Sequence, residues 1–363
     1  MNYTFSKSSI FSVLIMLFLV NQSFSQQHTK WLDSICQNFK KEQHIVGMTV
    51  AVIKPDTSYY SVSGLRKQDE SDVITLKNKF FLASLSKAFT SFIAKKMEED
   101  GVISFETKFF DVFPELLTEK KAKKYAEITL GNLLSHKAKI NDVCIYDETQ
   151  ILKEGTHAEK RYHLAKLTLS KSPKGKNKYS NVGYIMAAMM LEKTTGVSFE
   201  KLIQKTLHDL SLTYVIGYPN THNKKDTWGH NVLSKKERSF ELSEFNFYKD
   251  FQLPCWGLSM STIDYSKFIQ MHLNGLLGND NVLKSKSYKE LHQTFKKRNY
   301  GWEKMKLGAY TISTHDGSGD VFFGRTIIVA KEEIAISILM NQTVSDLKAI
   351  NDLLEEIVAH YKK

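Results

Sequence analysis

An α/β fold is predicted for this chain: an antiparallel sheet built from both chain ends and flanked by helices, plus an inserted, mostly helical lobe. Three observations carry that prediction. β-branched and aromatic stretches cluster near the two ends, helical periodicity dominates the middle, and no internal repeat or low-complexity tract interrupts the pattern. With 363 residues, 42% hydrophobic and 12% aromatic, the chain can bury a large core. Its 18 glycines and 5 prolines exclude collagen-like and linker-dominated architectures.

At the start, Lys7 precedes the apolar run Ile10 to Val20, and small residues follow at Ser23 and Ser25. This reads as a cleaved secretory signal over residues 1–25. The run is too short to cross the ~30 Å hydrocarbon core as a helix, and no second long apolar run appears downstream. Residues 26–363 are therefore expected to form one exported domain, periplasmic or secreted, monomeric and without stable membrane insertion. Its sheet lobe would comprise residues 28–80 and 295–363, and its helical lobe residues 81–294.

Met48 to Ile53 and Tyr59 to Val62 flank the turn-rich Lys54-Pro55-Asp56 and predict a hairpin. A helix is predicted from near Ser84, with Phe89, Phe92, Ile93 and Met97 on one face and Gly101 as its stop. Further helices are expected at Thr129 to Ser135, His157 to Leu169, Val182 to Thr195, Phe199 to Leu207 and Thr262 to Leu273. Strands return at Ala309 to Thr314, Val321 to Ala330 and Ile334 to Met340, before a closing helix from Ser345 to Tyr361. A cleft between a sheet edge and a helical lobe follows from this layout, and ligand sites favour such boundaries.

The net charge of +11 admits phosphate, membrane or anionic partners without choosing among them. Two lysine runs stand out, Lys120, Lys121, Lys123 and Lys124, then Lys171, Lys174, Lys176 and Lys178. They read first as solvated faces and second as a means of steering an anionic substrate. No aromatic-interleaved basic motif points to nucleic acid. Cys36, Cys144 and Cys255 lie more than 100 residues apart and cannot all pair within one chain. Without a Cys-x-x-Cys pair or histidines at i, i+4 spacing, no metal and no other cofactor is expected.

A serine three residues before a lysine on a helix shares one face with it, so the amine can take the hydroxyl proton. Three such pairs occur: Ser84/Lys87, Ser198/Lys201 and Ser345/Lys348. Ser198 and Ser345 read as ordinary N-caps. Ser84 instead follows the strand-like Phe80-Phe81-Leu82, at a strand-to-helix turn where the helix N-terminus would stabilise an oxyanion. Ser86, the neighbouring rival, projects about 100° away from Lys87.

The stretch from Phe81 to Thr90 resembles the first motif of the penicillin-recognising serine hydrolases, a group that includes class C β-lactamases, DD-peptidases, family VIII esterases and related amidases. Tyr179-Ser180-Asn181 fits the group's second motif, and His315-Asp316-Gly317-Ser318-Gly319 its third. Tyr218-Pro219-Asn220 and Lys306-Leu307-Gly308 compete for those places but read as turns. The likeness extends over nearly the whole mature chain, including Trp256-Gly257-Leu258-Ser259 and Tyr300-Gly301-Trp302. Lys137-Ala138-Lys139 departs from the Thr-Ser-Gly usual after the histidine of an intervening block, here His136.

That resemblance implies a serine hydrolase that forms an acyl-enzyme on Ser84, acting on small-molecule or peptide esters or amides, with D-amino-acid peptides and β-lactams among the candidates. Lys87 and Tyr179 would share the proton, either being able to act as formal base, with the Tyr179 pKa drawn down by cationic neighbours. Asn181 would hold Lys87 and the substrate. His315 and Gly317 would line the substrate side, and the Ser84 and Ser318 N–H groups would form the oxyanion hole. No Glu-x-x-Leu-Asn segment of the class A kind is present. With a mostly neutral imidazole at position 315, weak β-lactam hydrolysis is expected. The alternative is a penicillin-binding sensor or scaffold that acylates without efficient turnover.

Overall fold

The computed structural model describes residues 27–142, 152, 154–231, 250–319 and 321–362. The expected signal over residues 1–25 and Cys144 lie outside the described residues.

Helix α1 covers residues 27–42 and leads into the hairpin of β1 (Gly47–Ile53) and β2 (Ser58–Gly64). The expected hairpin forms, with Ile53 opposite Ser58 and the Lys54 N–H donating to the Thr57 carbonyl across the turn. After β3 (Lys79–Phe81), a 3₁₀ turn at Ala83–Leu85 opens α2 (Ser86–Glu99). The helical stretch then runs through α3 (Phe109–Val112), α4 (Leu130–Leu134), α5 (His157–Leu169), α6 (Asn181–Thr195) and α7 (Phe199–Asp209). Next come β4 (Tyr214–Ile216), α8 (Pro219–His222), β5 (Leu258–Ser261), α9 (Thr262–Leu276) and α10 (Ser285–Gln293). The chain closes with β6 (Glu303–Leu307), β7 (Tyr310–Ser318), β8 (Phe323–Val329), β9 (Ile334–Met340) and α11 (Leu347–Tyr361).

Both chain ends build the main antiparallel sheet, in the order β2-β1-β9-β8-β7-β6. Three of its inner strands are enclosed along their whole length: every residue of β1, β8 and β9 is buried. An antiparallel sheet with one wet face would alternate, so this pattern requires cover on both sides. Leu32, Cys36 and Phe39 of α1, with Ile350, Leu354 and Ile357 of α11, pack on one face. The second face lies under α9, where Thr49 and Thr262 share a 2.6 Å hydroxyl bond and Tyr60 meets Ser266 at 2.8 Å. Each aliphatic chain enclosed this way contributes about 1.5–3 kcal/mol.

The structure departs from the sequence-based expectation at several points. A second sheet, ordered β3-β5-β4, lies within the chain's middle; its strands are three or four residues long, too short to leave a periodic signal. α1, α10 and β6 were not anticipated, and β6 is polar because it is the sheet's edge. Strand β7 runs on through Ser318, so His315 to Ser318 lie within the strand and pair with β8. Asp346, not Ser345, caps α11 by accepting the Ala349 N–H. Among the described residues, no helix is long and apolar enough to cross a membrane.

Candidate active site

Ser84 sits in the 3₁₀ turn between β3 and α2, partly exposed where its neighbours are buried. Ala83 before it has φ +47°, a left-handed backbone that costs a non-glycine residue about 1–2 kcal/mol. That kink lifts the Ser84 hydroxyl off the helix start, where the positive end of α2 lies. Lys87, one turn along and fully buried, donates from Nζ to Ser84 Oγ at 3.0 Å and to the Cys255 carbonyl at 2.8 Å. Burial pulls the Lys87 ammonium down to about 8, while Cys255 and Asp142 work in the opposite direction.

Ser86 has no such freedom. It is buried and its Oγ accepts the Gly257 and Leu258 N–H groups, while Thr90 donates to the Pro254 carbonyl. These contacts fasten α2 to the segment that presents the Cys255 carbonyl, so Ser86 is a brace for the site. Ser198 caps α7, its side chain accepting the Lys201 N–H, as its sequence context indicated.

Tyr179 lies immediately before α6, nearly a hundred residues along the chain from Ser84. Lys87 Nζ lies 4.8 Å from the centre of its ring, His136 stacks on it at 4.4 Å, and His315 meets it edge-on at 6.4 Å. The expected lowering of its pKa does not occur. Burial holds the Tyr179 phenol well above 10, and nearby Ser84 offsets only part of that, although the pair lacks hydrogen-bond geometry. Desolvation of a phenolate dominates, so Tyr179 is a neutral hydroxyl here.

Asn181 is the first residue of α6, and its N–H donates to Asp142 Oδ2 at 3.0 Å. The Ser180 hydroxyl donates to Asp142 Oδ1 at 2.6 Å, and the Ser180 N–H donates to His136 Nδ1 at 3.0 Å. Neither Asp142 nor the role of His136 was identified from sequence: an aspartate in a loop and a buried histidine carry no spacing signal. The competing Tyr218-Pro219-Asn220 forms the start of α8, with Tyr218 packed between Phe81 and Phe322. Lys306-Leu307-Gly308 closes the β6–β7 turn.

The third group arrives on β7. Gly317 lies so close to the Ser84 turn that a Cβ there would sit 2.1 Å from the Leu82 carbonyl, and one on Gly319 would meet Phe81 at 2.9 Å. His315 Nδ1 bonds to the Gly301 carbonyl at 2.7 Å. A carbonyl only accepts, so Nδ1 carries the hydrogen and Nε2 keeps its lone pair. Burial and neighbouring Lys87 push the His315 pKa down to about 4, which leaves the ring neutral at pH 7. Gly301, with φ +80°, is itself pressed against α2, 3.1 Å from the Lys87 carbonyl by the same Cβ measure. Ser318 ends the strand and is exposed beside this turn.

The structure thus brings Ser84, Lys87, Tyr179, His315 and Gly317 together, with Asn181 next in sequence to this group at the start of α6 and Ser318 at the end of β7. Among the described residues, no cluster of three or more histidine, cysteine or acidic side chains could hold a metal.

The sequence profile of the family described as Beta-lactamase matches residues 32–359. A Beta-lactamase of Escherichia coli (strain K12) is 24% identical over 245 residues, which are 67% of this chain and 60% of that protein. Penicillin-binding protein 4* of Bacillus subtilis (strain 168) is 25% identical over 186 residues, 50% of this chain and 40% of its own length. The chain thus spans less than two thirds of these curated relatives. Among solved structures, the class C beta lactamase from Rhodobacter sphaeroides superposes with a TM-score of 0.71 at 17% identity, over 92% of this chain and 99% of that one. The octameric penicillin-binding protein homologue from Pyrococcus abyssi gives 0.74 at 18% identity, over 92% and 78%. These two share the fold, and with a family profile that spans nearly all the described residues, the chain belongs to the beta-lactamase family.

Proposed function

We propose that this protein is an exported serine hydrolase that forms an acyl-enzyme on Ser84 and acts on ester or amide substrates. The observation that carries this reading is the 3.0 Å contact between Ser84 Oγ and a buried lysine whose pKa has fallen to about 8. Roughly one molecule in ten then has a neutral Lys87 at pH 7. Neutral Nζ takes the Ser84 proton as Oγ bonds to the substrate carbonyl carbon, and the carbonyl electron pair moves to oxygen. The N–H groups of Ser84 and Ser318 receive that oxyanion, each donor contributing ~10²–10³ in rate. Tyr179, still protonated, gives its hydroxyl proton to the departing nitrogen or oxygen and regains one from the Lys87 ammonium. Water then repeats the cycle on the acyl-enzyme and releases the acid.

This division makes Lys87 the base and Tyr179 the acid. The neutral, Nδ1-protonated His315 supplies no fixed positive charge for a substrate carboxylate, so esters and peptide-like amides suit the cleft better than β-lactams. Export rests on the sequence of residues 1–25.

The test is a panel of p-nitrophenyl esters, D-Ala-D-Ala peptides and nitrocefin against wild type and Ser84→Ala, with intact-mass labelling by a fluorophosphonate and a fluorescent penicillin. Ester or amide turnover that disappears in Ser84→Ala is expected. Turnover retained by Ser84→Ala overturns the reading. Nitrocefin turnover above ~10 s⁻¹ without ester turnover overturns the substrate class. A lasting penicillin adduct without any turnover identifies a sensor.

A further inference from the structure

We propose that Asp142 is a positioning residue for this site: its carboxylate holds the Tyr179-Ser180-Asn181 turn, and with it the Tyr179 ring, in place beside Lys87. The proposal rests on the hydrolase reading for its kinetic consequence, and on geometry for its existence.

Asp142 lies in the loop after α4 and is 9% exposed. Both carboxylate oxygens are engaged, Oδ1 by the Ser180 hydroxyl at 2.6 Å and Oδ2 by the Asn181 N–H at 3.0 Å. Ser180 is a junction: its Oγ also accepts the Gly183 N–H at 2.8 Å, and its own N–H is taken by His136. The middle residue of the second motif is thereby held on three sides. On one side of it the Asn181 N–H is bonded to Asp142, and on the other the Tyr179 ring follows a residue whose own N–H and hydroxyl are both tied to the 136–142 loop. His136, stacked on the Tyr179 ring, closes the clamp from the same loop.

A serine N-cap needs no carboxylate to satisfy the start of a helix. Asp142 is therefore more than a cap, and its cost shows in its own ionisation: burial raises its pKa, against the bonds from Ser180, Asn181 and Val182 and the charge of Lys174. What the buried anion does in return is read at Lys87, where it supports the ammonium against desolvation. The charged or titratable groups around Lys87 are Cys255 and Asp142, which favour its charge, the neutral His136 and His315, on both of which Lys87 acts, and the Tyr179 and Tyr184 rings, whose centres lie 4.8 and 5.6 Å from Nζ. Arg298, ion-paired with Glu303, also faces His136.

Three variants separate holding from charge. Asp142→Asn keeps an acceptor and removes the charge, Ser180→Ala removes the two bonds of the Ser180 hydroxyl and keeps the charge, and Asp142→Ala removes the charge together with both bonds to the carboxylate. The pH dependence of kcat/KM is measured for each on a p-nitrophenyl ester. Independently, Lys87 is titrated directly by carbon NMR of ¹³Cε-labelled lysine, which does not require activity. Loss of an anion destabilises the ammonium, so Asp142→Asn should move both the kinetic midpoint and the Lys87 titration to lower pH. Ser180→Ala should lower kcat with both midpoints unmoved. Asp142→Ala should lower kcat by about 10²-fold with little change in KM. If the Lys87 titration in Asp142→Asn matches wild type, the charge role is overturned. Wild-type kcat in both Ser180→Ala and Asp142→Ala overturns the clamp. Should wild type show no Ser84-dependent turnover, the hydrolase reading fails by itself, and the NMR titration still decides on Asp142.

Discussion

Withdrawing an ammonium from water is costly, and Lys87 is fully enclosed with two hydrogen bonds to replace its hydration. The fall of its pKa from 10.5 to about 8 corresponds to about 3 kcal/mol held against the fold at neutral pH. An apolar side chain of similar length would relieve that cost. Lys87→Met should therefore raise the thermal midpoint while abolishing ester turnover, an exchange of stability for function. A lower midpoint together with lost activity would show Lys87 to be a structural brace. In wild type the base works only after losing its proton, so kcat/KM should rise with pH and level off above about 8. A profile that keeps rising through pH 10 would transfer the base role to Tyr179, whose phenol burial holds far higher.

Between elements, the site depends on how closely β7 can approach the Ser84 turn. Glycine at 317 is what permits it, because any side chain would collide with the Leu82 carbonyl, which is backbone and cannot swing away. Gly317→Ala should displace the strand end and with it Ser318 N–H, lowering kcat/KM by about 10²-fold in a protein that still folds. Near wild-type turnover would show that the strand end is dispensable. These approaches also mark what could be read beforehand. Ser84 with Lys87, and Tyr179 with Asn181, are local pairs whose residue types announce their chemistry, and His315 and Gly317 follow in order on one strand. The Cys255 and Gly301 carbonyls are backbone atoms with no residue signature, and Asp142 acts across 38 positions on Ser180. Tyr179 shows the limit most sharply: its neighbours were legible, but the depth of its burial, which decides its ionisation, arises only when two lobes close around it.

For the molecule as a whole, the enclosed histidines tie stability to pH. His272 bonds through Nδ1 to His292 Nε2 at 2.8 Å, and His292 Nδ1 bonds to the Ser313 hydroxyl at 2.6 Å, in a chain from α9 through α10 to β7. Burial drops the pKa of His272 to about 3 and that of His315 to about 4, and holds His136 and His292 well below the usual value. In the unfolded chain each returns to about 6.5. The unfolded state therefore binds more protons as pH falls below 6.5, and stability present above that value is lost down to the folded pKa. Each such histidine costs about 1.4 kcal/mol per pH unit once its unfolded form is mostly protonated. Asp142 and Glu192, raised by burial, work in the opposite direction, and four enclosed histidines stand against these two carboxyl groups. Urea unfolding at pH 7, 6 and 5 should show falling stability, with a shallower slope in His315→Asn, which removes one of these titrations. A protein equally stable at pH 7 and pH 5 would mean that protons reach these rings in the native state, and that the core between α9, α10 and β7 opens without unfolding.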